Sequence, residues 1–170
     1  KVVAADVAAD NGVIHVINRV LLPPVGNLLQ VAQGNTNFTF LVAALNKVIQ
    51  ANPTVGATVT SVLTGSSPYT VFAPTNAAFQ ATPFNSVNVI NAASGATLTA
   101  LTNVLLAHVV AGRVFSTNLV AGTVVSAGQA PLTVTLGSTV QVRGVGNGTN
   151  NATVTSADII ATNGVVHVID

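Results

Sequence analysis

Apolar positions along this chain switch from helical spacing in the first half to strict alternation near the end. Phe38, Leu41, Val42, Leu45, Val48 and Ile49 recur three and four residues apart and predict a buried helix. Asn35 or Thr36 can cap it, and Asn52-Pro53 stops it. A short helix is expected over residues 27–33, and the stretch 55–63 is expected to be helical at its end, before the Gly65-Ser66-Ser67-Pro68 loop. Residues 69–73 read as a strand closed by Pro74, with Thr75 placed to cap a short helix over 76–80 whose Phe79 points inward. A second buried helix is predicted over 97–107, with Leu98, Leu101, Val104 and Leu105 inside, before 108–110 returns to strand. Further on, Leu132, Val134 and Leu136 alternate with threonines. After the turn at Gly137-Ser138, Val140 and Val142 alternate with polar residues. A Gly/Asn loop over 144–151 leads to strands over 154–160 and 165–169. Helices first and strands later make the class α+β.

The two ends of the chain repeat each other. Ala5-Asp6 returns as Ala157-Asp158, Asn11-Gly12-Val13 as Asn163-Gly164-Val165, and His15-Val16-Ile17 as His167-Val168-Ile169. Each pair lies 152 residues apart, as Asn11 does from Asn163. A period of that length is a whole domain rather than a solenoid rung. Residues 1–24 therefore read as the closing segment of a preceding repeat or as an inter-subunit strand, and residues 25–170 as the main unit. That unit is expected to be completed by a strand like Val20, Leu21 and Leu22, supplied by a neighbour or by the start of the same chain. Val13, His15, Ile17, Val20, Leu21 and Leu22 are the candidate inter-unit contacts.

Charge is nearly absent. The only acids are Asp6, Asp10, Asp158 and Asp170, all inside the repeated ends, and the body between 25 and 152 has only Lys47, Arg113 and Arg143 as bases. A row of phosphates would meet no neutralising groove, so nucleic acid is not expected as a partner. A weakly charged exterior of Thr, Asn, Ser and Gln favours self-association. Without cysteine there are no disulfides and no thiol chemistry. The longest apolar stretch, from Leu98 to Ala111, is interrupted by Thr99, Thr102, Asn103 and His108 and is too short to span a bilayer.

Three segments carry a family resemblance. Thr70-Val71-Phe72-Ala73-Pro74-Thr75-Asn76-Ala77-Ala78-Phe79 resembles the first signature of fasciclin I-like domains. Leu106-Ala107-His108-Val109-Val110-Ala111-Gly112 is similar to the family's central His segment. Asn163-Gly164-Val165-Val166-His167-Val168-Ile169-Asp170 is similar to its closing signature, and Asn11 to Pro24 matches that signature together with its run-out into Leu-Leu-Pro. The resemblance implies a fasciclin-like β-sandwich or wedge with several helices packed beside it. It also implies a secreted or cell-surface adhesion or matrix module, common in tandem, without catalytic activity. Thr70, Phe72, Pro74, Thr75, Asn76, Phe79, His108, Asn163, Gly164 and His167 carry the signatures, and their reading is mainly structural. The chain departs from the family at Ala77, usually acidic, and at Ala107, often Tyr. Animal members link the latter region to integrin-type recognition.

Chemistry offers little else. His15, His108 and His167 are the only histidines, and a metal site would need them to converge with a carboxylate. There is no nucleophile elbow, no carboxylate pair in the body and no phosphate-binding glycine loop. No enzyme activity, metal or cofactor is expected. Asn147 and Asn151 are candidate glycosylation acceptors in the Asn-rich loop. The expected function is an extracellular adhesion or structural module acting by protein–protein contact, in a tandem array or head-to-tail filament, with strand addition between units. The expected partners are copies of itself, neighbouring repeats or a cell-surface protein. The alternative is a polysaccharide-binding surface module, although the chain offers only one Tyr and no Trp for stacking on sugars.

Overall fold

The computed structural model describes residues 2–18, 20 and 23–170. The chain opens with a hairpin, β1 (Val2–Ala9) and β2 (Gly12–Ile17), which pair with each other as a separate two-stranded sheet. The body follows with α1 (Leu28–Gln33), α2 (Thr39–Ala51), α3 (Pro53–Thr64), β3 (Tyr69–Pro74), α4 (Asn76–Gln80), α5 (Val87–Ala92), α6 (Gly95–Ala107) and β4 (Val109–Ala111). It ends with β5 (Gly122–Val125), β6 (Pro131–Leu136), β7 (Val140–Gly144), β8 (Ala152–Ala161) and β9 (Gly164–Ile169).

Local chemistry sets the element ends. Asn27 and Gln30 form a reciprocal capping box at α1. The Asn35 side chain accepts from the Asn37 amide at the 3-10 turn that leads into α2. Asn52-Pro53, expected only to stop α2, also starts α3: the Asn52 side chain caps it and Pro53 occupies its first turn. Proline suits that place because the amide it lacks has no intrahelical partner there. Helix α3 is thus regular over its whole length, not only at its end.

The body's strands form one sheet in the order β4-β3-β9-β8-β7-β6-β5, with β3 and β9 parallel and every other neighbour antiparallel. Alternation along β3 sends its side chains to two cores. Val71 and Ala73 face the helices, where Phe38, Leu45, Val48 and Leu101 are also buried. Phe72 faces the other way and packs with Leu132, Val134, Val142 and Ile169. Strands β6 and β7 therefore fold back over β3 and β9, giving an α+β wedge of sheet with helices packed beside it. Of the expected completing strand at 20–22, only Val20 is among the described residues. Val20 is 81% exposed and outside any strand, while Leu21 and Leu22 lie outside the described residues. Strand β9 already has β3 on one side and β8 on the other, so the sheet's interior has no vacant edge.

Candidate functional site

The repeated ends form one structure twice. In the leading hairpin Val2 lies opposite Ile17, Val7 opposite Ile14 and Ala9 opposite Gly12. In the closing hairpin Val154 lies opposite Ile169, Ile159 opposite Val166 and Ala161 opposite Gly164. The register shifts fall at equivalent places in both. Both contain an aspartate in the left-handed region, Asp6 with φ 57° and Asp158 with φ 61°. Asparagine and aspartate tolerate this conformation best among non-glycine residues. In each case its amide donates to the Nδ1 of the histidine across the hairpin, His15 at 3.2 Å and His167 at 3.3 Å.

Their surroundings differ. Strand β9 is buried along its length and β2 is exposed along its length. Val165 is 0% exposed and its counterpart Val13 59%; Val166 is 3% exposed and Ile14 55%. The histidine side chain is buried at His167 and half-exposed at His15. Val13, His15 and Ile17 thus lie together on one exposed strand.

The body holds its own closing hairpin through a small set of groups. Asn163, buried in the turn, accepts from the Leu28 amide at 2.9 Å and donates to the carbonyls of Val62 and Leu63. It joins β9 to the start of α1 and the end of α3. Because Nδ1 of His167 accepts, its Nε2 carries the hydrogen and donates to the Val114 carbonyl at 2.9 Å. Its ring also packs 5.5 Å from Phe72 between centroids. The Asp158 carboxylate accepts from the Ser116 amide and hydroxyl at 2.7 and 2.6 Å. Arg113 donates to the carbonyls of Ala161 and Thr162. At Gly164 the backbone of β3 comes so close that a Cβ would stand 2.2 Å from the Tyr69 carbonyl oxygen. The sequence pointed to a turn at Asn163-Gly164. It did not reveal this web, whose partners are far away in the chain.

The other signature residues fasten β3 and its neighbours. Thr70 donates to the Gly112 carbonyl and accepts from the Val114 amide. Thr75 caps α4 by accepting from the Ala78 amide. Asn76 accepts from Thr39 and the Phe40 amide and donates to the Thr36 carbonyl, tying α4 to the start of α2. Pro74 and Phe79 are buried. Asn147 and Asn151 are exposed, the latter donating to Gln141. Tyr69 is half-buried in β3 against the helical core.

Sequence reasoning also missed a cavity of about 340 Å³ between the helices and the folded-over sheet. Phe72, Phe79, Phe84, Leu132 and Ile169 line it, with Ala107 and His108 at the end of α6. His108 Nδ1 lies 2.6 Å from the Val104 carbonyl. Burial lowers its pKa below the ordinary 6.5, and that hydrogen bond opposes the shift. The folded state then binds fewer protons than the unfolded one just below 6.5. This contribution is intact above that value and is lost as pH falls toward the lowered one. Thermal scans between pH 7.5 and 5 are expected to show a falling Tm, with a shallower fall in His108→Gln.

Among the described residues no three His, Asp or Glu side chains come together in a way that could hold a metal, and no helix is long and apolar enough to cross a membrane. A family model for the fasciclin domain matches residues 1–23 and 34–170. Protein sll1483 of Synechocystis sp. is 37% identical over 84% of this chain and 70% of its own length. Transforming growth factor-beta-induced protein ig-h3 of Sus scrofa is 34% identical over 99% of this chain, which spans only 22% of that relative. A solved FAS1 domain pair from the insect cell adhesion molecule fasciclin I shares the fold with a TM-score of 0.61 at 17% identity. That match covers 99% of this chain and 57% of the pair.

Proposed function

From the premise that this chain belongs to the fasciclin domain family, we propose that it is an extracellular or cell-surface adhesion or structural module, working by protein–protein contact in a tandem array or head-to-tail assembly. One observation carries the reading: β2 presents to solvent the residues that β9 buries, and β1 is exposed throughout where β8 is half-covered. A lone two-stranded hairpin is marginal in water. The exposed Val2, Val7, Val13, Ile14, Val16 and Ile17, spread over both faces of the hairpin, make it an association element. The matched insect protein is described as a cell adhesion molecule, in keeping with contact as the mode of action.

The weak charge of the body fits the same reading. With so few ionic groups, little long-range repulsion holds like units apart, and contact is decided by apolar burial and backbone hydrogen bonding. The reading assigns no catalytic step. In a host that glycosylates secreted proteins, Asn147 and Asn151 are exposed candidate acceptors, and both lie in a loop outside the closing hairpin.

Light scattering tests the reading. The full chain is expected to gain mass with concentration, while residues 25–170, which keep the body and its own closing hairpin, stay monomeric. Equal, monomeric behaviour of both forms across the same range would count decisively against association through the leading segment.

A further inference from the structure

We propose that residues 2–17 are a transferable closing hairpin, and that the partner they fit is the β8–β9 slot in the body of a second copy of this chain. This rests on the self-contact reading above and gives it an interface.

The bound form of the hairpin is already present in the molecule. Each polar side chain by which the body holds β8–β9, and the glycine of its turn, has an identical counterpart in β1–β2 or its turn. Asp158, which holds Ser116, corresponds to Asp6. Asn163, which holds α1 and α3, corresponds to Asn11. Gly164, where no Cβ fits, corresponds to Gly12, and His167, which bonds to Val114, corresponds to His15. Arg113 grips only backbone carbonyls and is indifferent to the side chains presented.

The differences are equally informative. Thr155, Ser156, Ile160 and Thr162 are exposed in the body, and at these positions the leading hairpin has Val3, Ala4, Ala8 and Asp10. At the buried positions of the closing hairpin the sole change is Val166 to Ile14, and half-buried Ile159 becomes Val7. The two positions face each other across the hairpin, so one gains the methylene that the other loses and the summed volume is kept, the kind of exchange cores tolerate best. A hairpin that never packed against a body would be free to change at buried and exposed positions alike. Here the buried positions are kept almost unchanged, while four of the five exposed ones, all but Ala157, have changed.

The register and the left-handed aspartate are also already in place. The leading hairpin therefore has little rearrangement to make before docking, which lowers the ordering cost of association. Its competitor is the resident β8–β9 hairpin, held at high effective concentration by its own chain. Transfer consequently shows itself when the resident hairpin is weakened and the leading one is left whole.

The test uses the full chain. Asn163→Ala with His167→Ala removes the resident anchors, and adding Asn11→Ala with His15→Ala removes the leading ones too. The double variant is expected to form dimers and larger species by size-exclusion light scattering. Its Tm is expected to rise by about 5 °C per tenfold in protein concentration, because folding has become an association. The quadruple variant is expected to lose both effects. If the double variant does not fold alone, a peptide of residues 2–18 added in excess is expected to restore its far-ultraviolet circular dichroism, and the same peptide with Asn11→Ala and His15→Ala is not. A concentration-independent Tm together with no rescue by the peptide overturns hairpin transfer. Failure here with concentration-dependent association of the unmodified chain would sink the interface and leave the adhesion reading standing. Monomeric behaviour of the unmodified chain beside a rescued double variant would do the reverse.

Discussion

Gly164→Ala is expected to destabilise the body by about 3 kcal/mol, near the upper end of what one overpacked methyl group costs. Gly12→Ala, the same substitution in the other copy, is expected to leave its stability unchanged. At Gly164 the new Cβ would stand 2.2 Å from the Tyr69 carbonyl oxygen and 3.1 Å from both Leu28 methyls. The side chain of Leu28 can yield, but the carbonyl cannot, because Tyr69 pairs directly with Gly164 between parallel central strands. At Gly12 a Cβ meets nothing within 4 Å. Urea denaturation followed by circular dichroism reads the difference. Fluorescence of Tyr69, the only tyrosine, reports the contact itself. Equal effects of the two substitutions would mean that β9 is not packed on β3 as described.

The second large effect is expected at Asn163. Replacement by Ala removes the acceptor of the Leu28 amide and the donor to the Val62 and Leu63 carbonyls, all within a residue that is 4% exposed. Leaving buried polar groups unpaired costs their desolvation, so a loss of about 3 kcal/mol is expected. Asn163→Asp keeps the acceptor but sets a carboxylate against two carbonyl oxygens, and it is expected to rescue little. Asn11→Ala in an unassociated chain is expected to cost next to nothing, since Asn11 is exposed in the turn between β1 and β2. Thermal scans at low protein concentration, where transfer is suppressed, separate the two asparagines.

These two residues show how far the sequence could be read. Helix α2 was legible because Leu41, Leu45 and Val48 stand on one face. The α4 cap was legible because Thr75 follows a strand-closing proline. Asn163-Gly164 was legible as a turn, since that pair favours one wherever it occurs. Its second role depends on Leu28, Val62 and Leu63, about a hundred or more residues away, and no local pattern signals them. Helix α5 and strand β5 were not singled out, being short and partly exposed, with little periodicity to betray them. The strand expected at 20–22 came from comparing the two copies of the repeat, and of its residues only Val20 is described. The cavity beside His108 is made by the helices and the folded-over sheet meeting, so only the assembled fold discloses it.

Strand β9 is central in the sheet and among the last segments in chain order. On a ribosome, β3 emerges with one flank bare and waits for residues 164–169 before its parallel partner exists. Such a sheet cannot be assembled step by step from its N-terminal side; it closes late, through a contact of high sequence separation, and the aggregation-exposed interval is correspondingly long. Throughout that interval the hairpin β1–β2, made before the body, is already outside, so on a polysome the unfinished sheets of nascent chains and the finished hairpins of their neighbours coexist while translation continues.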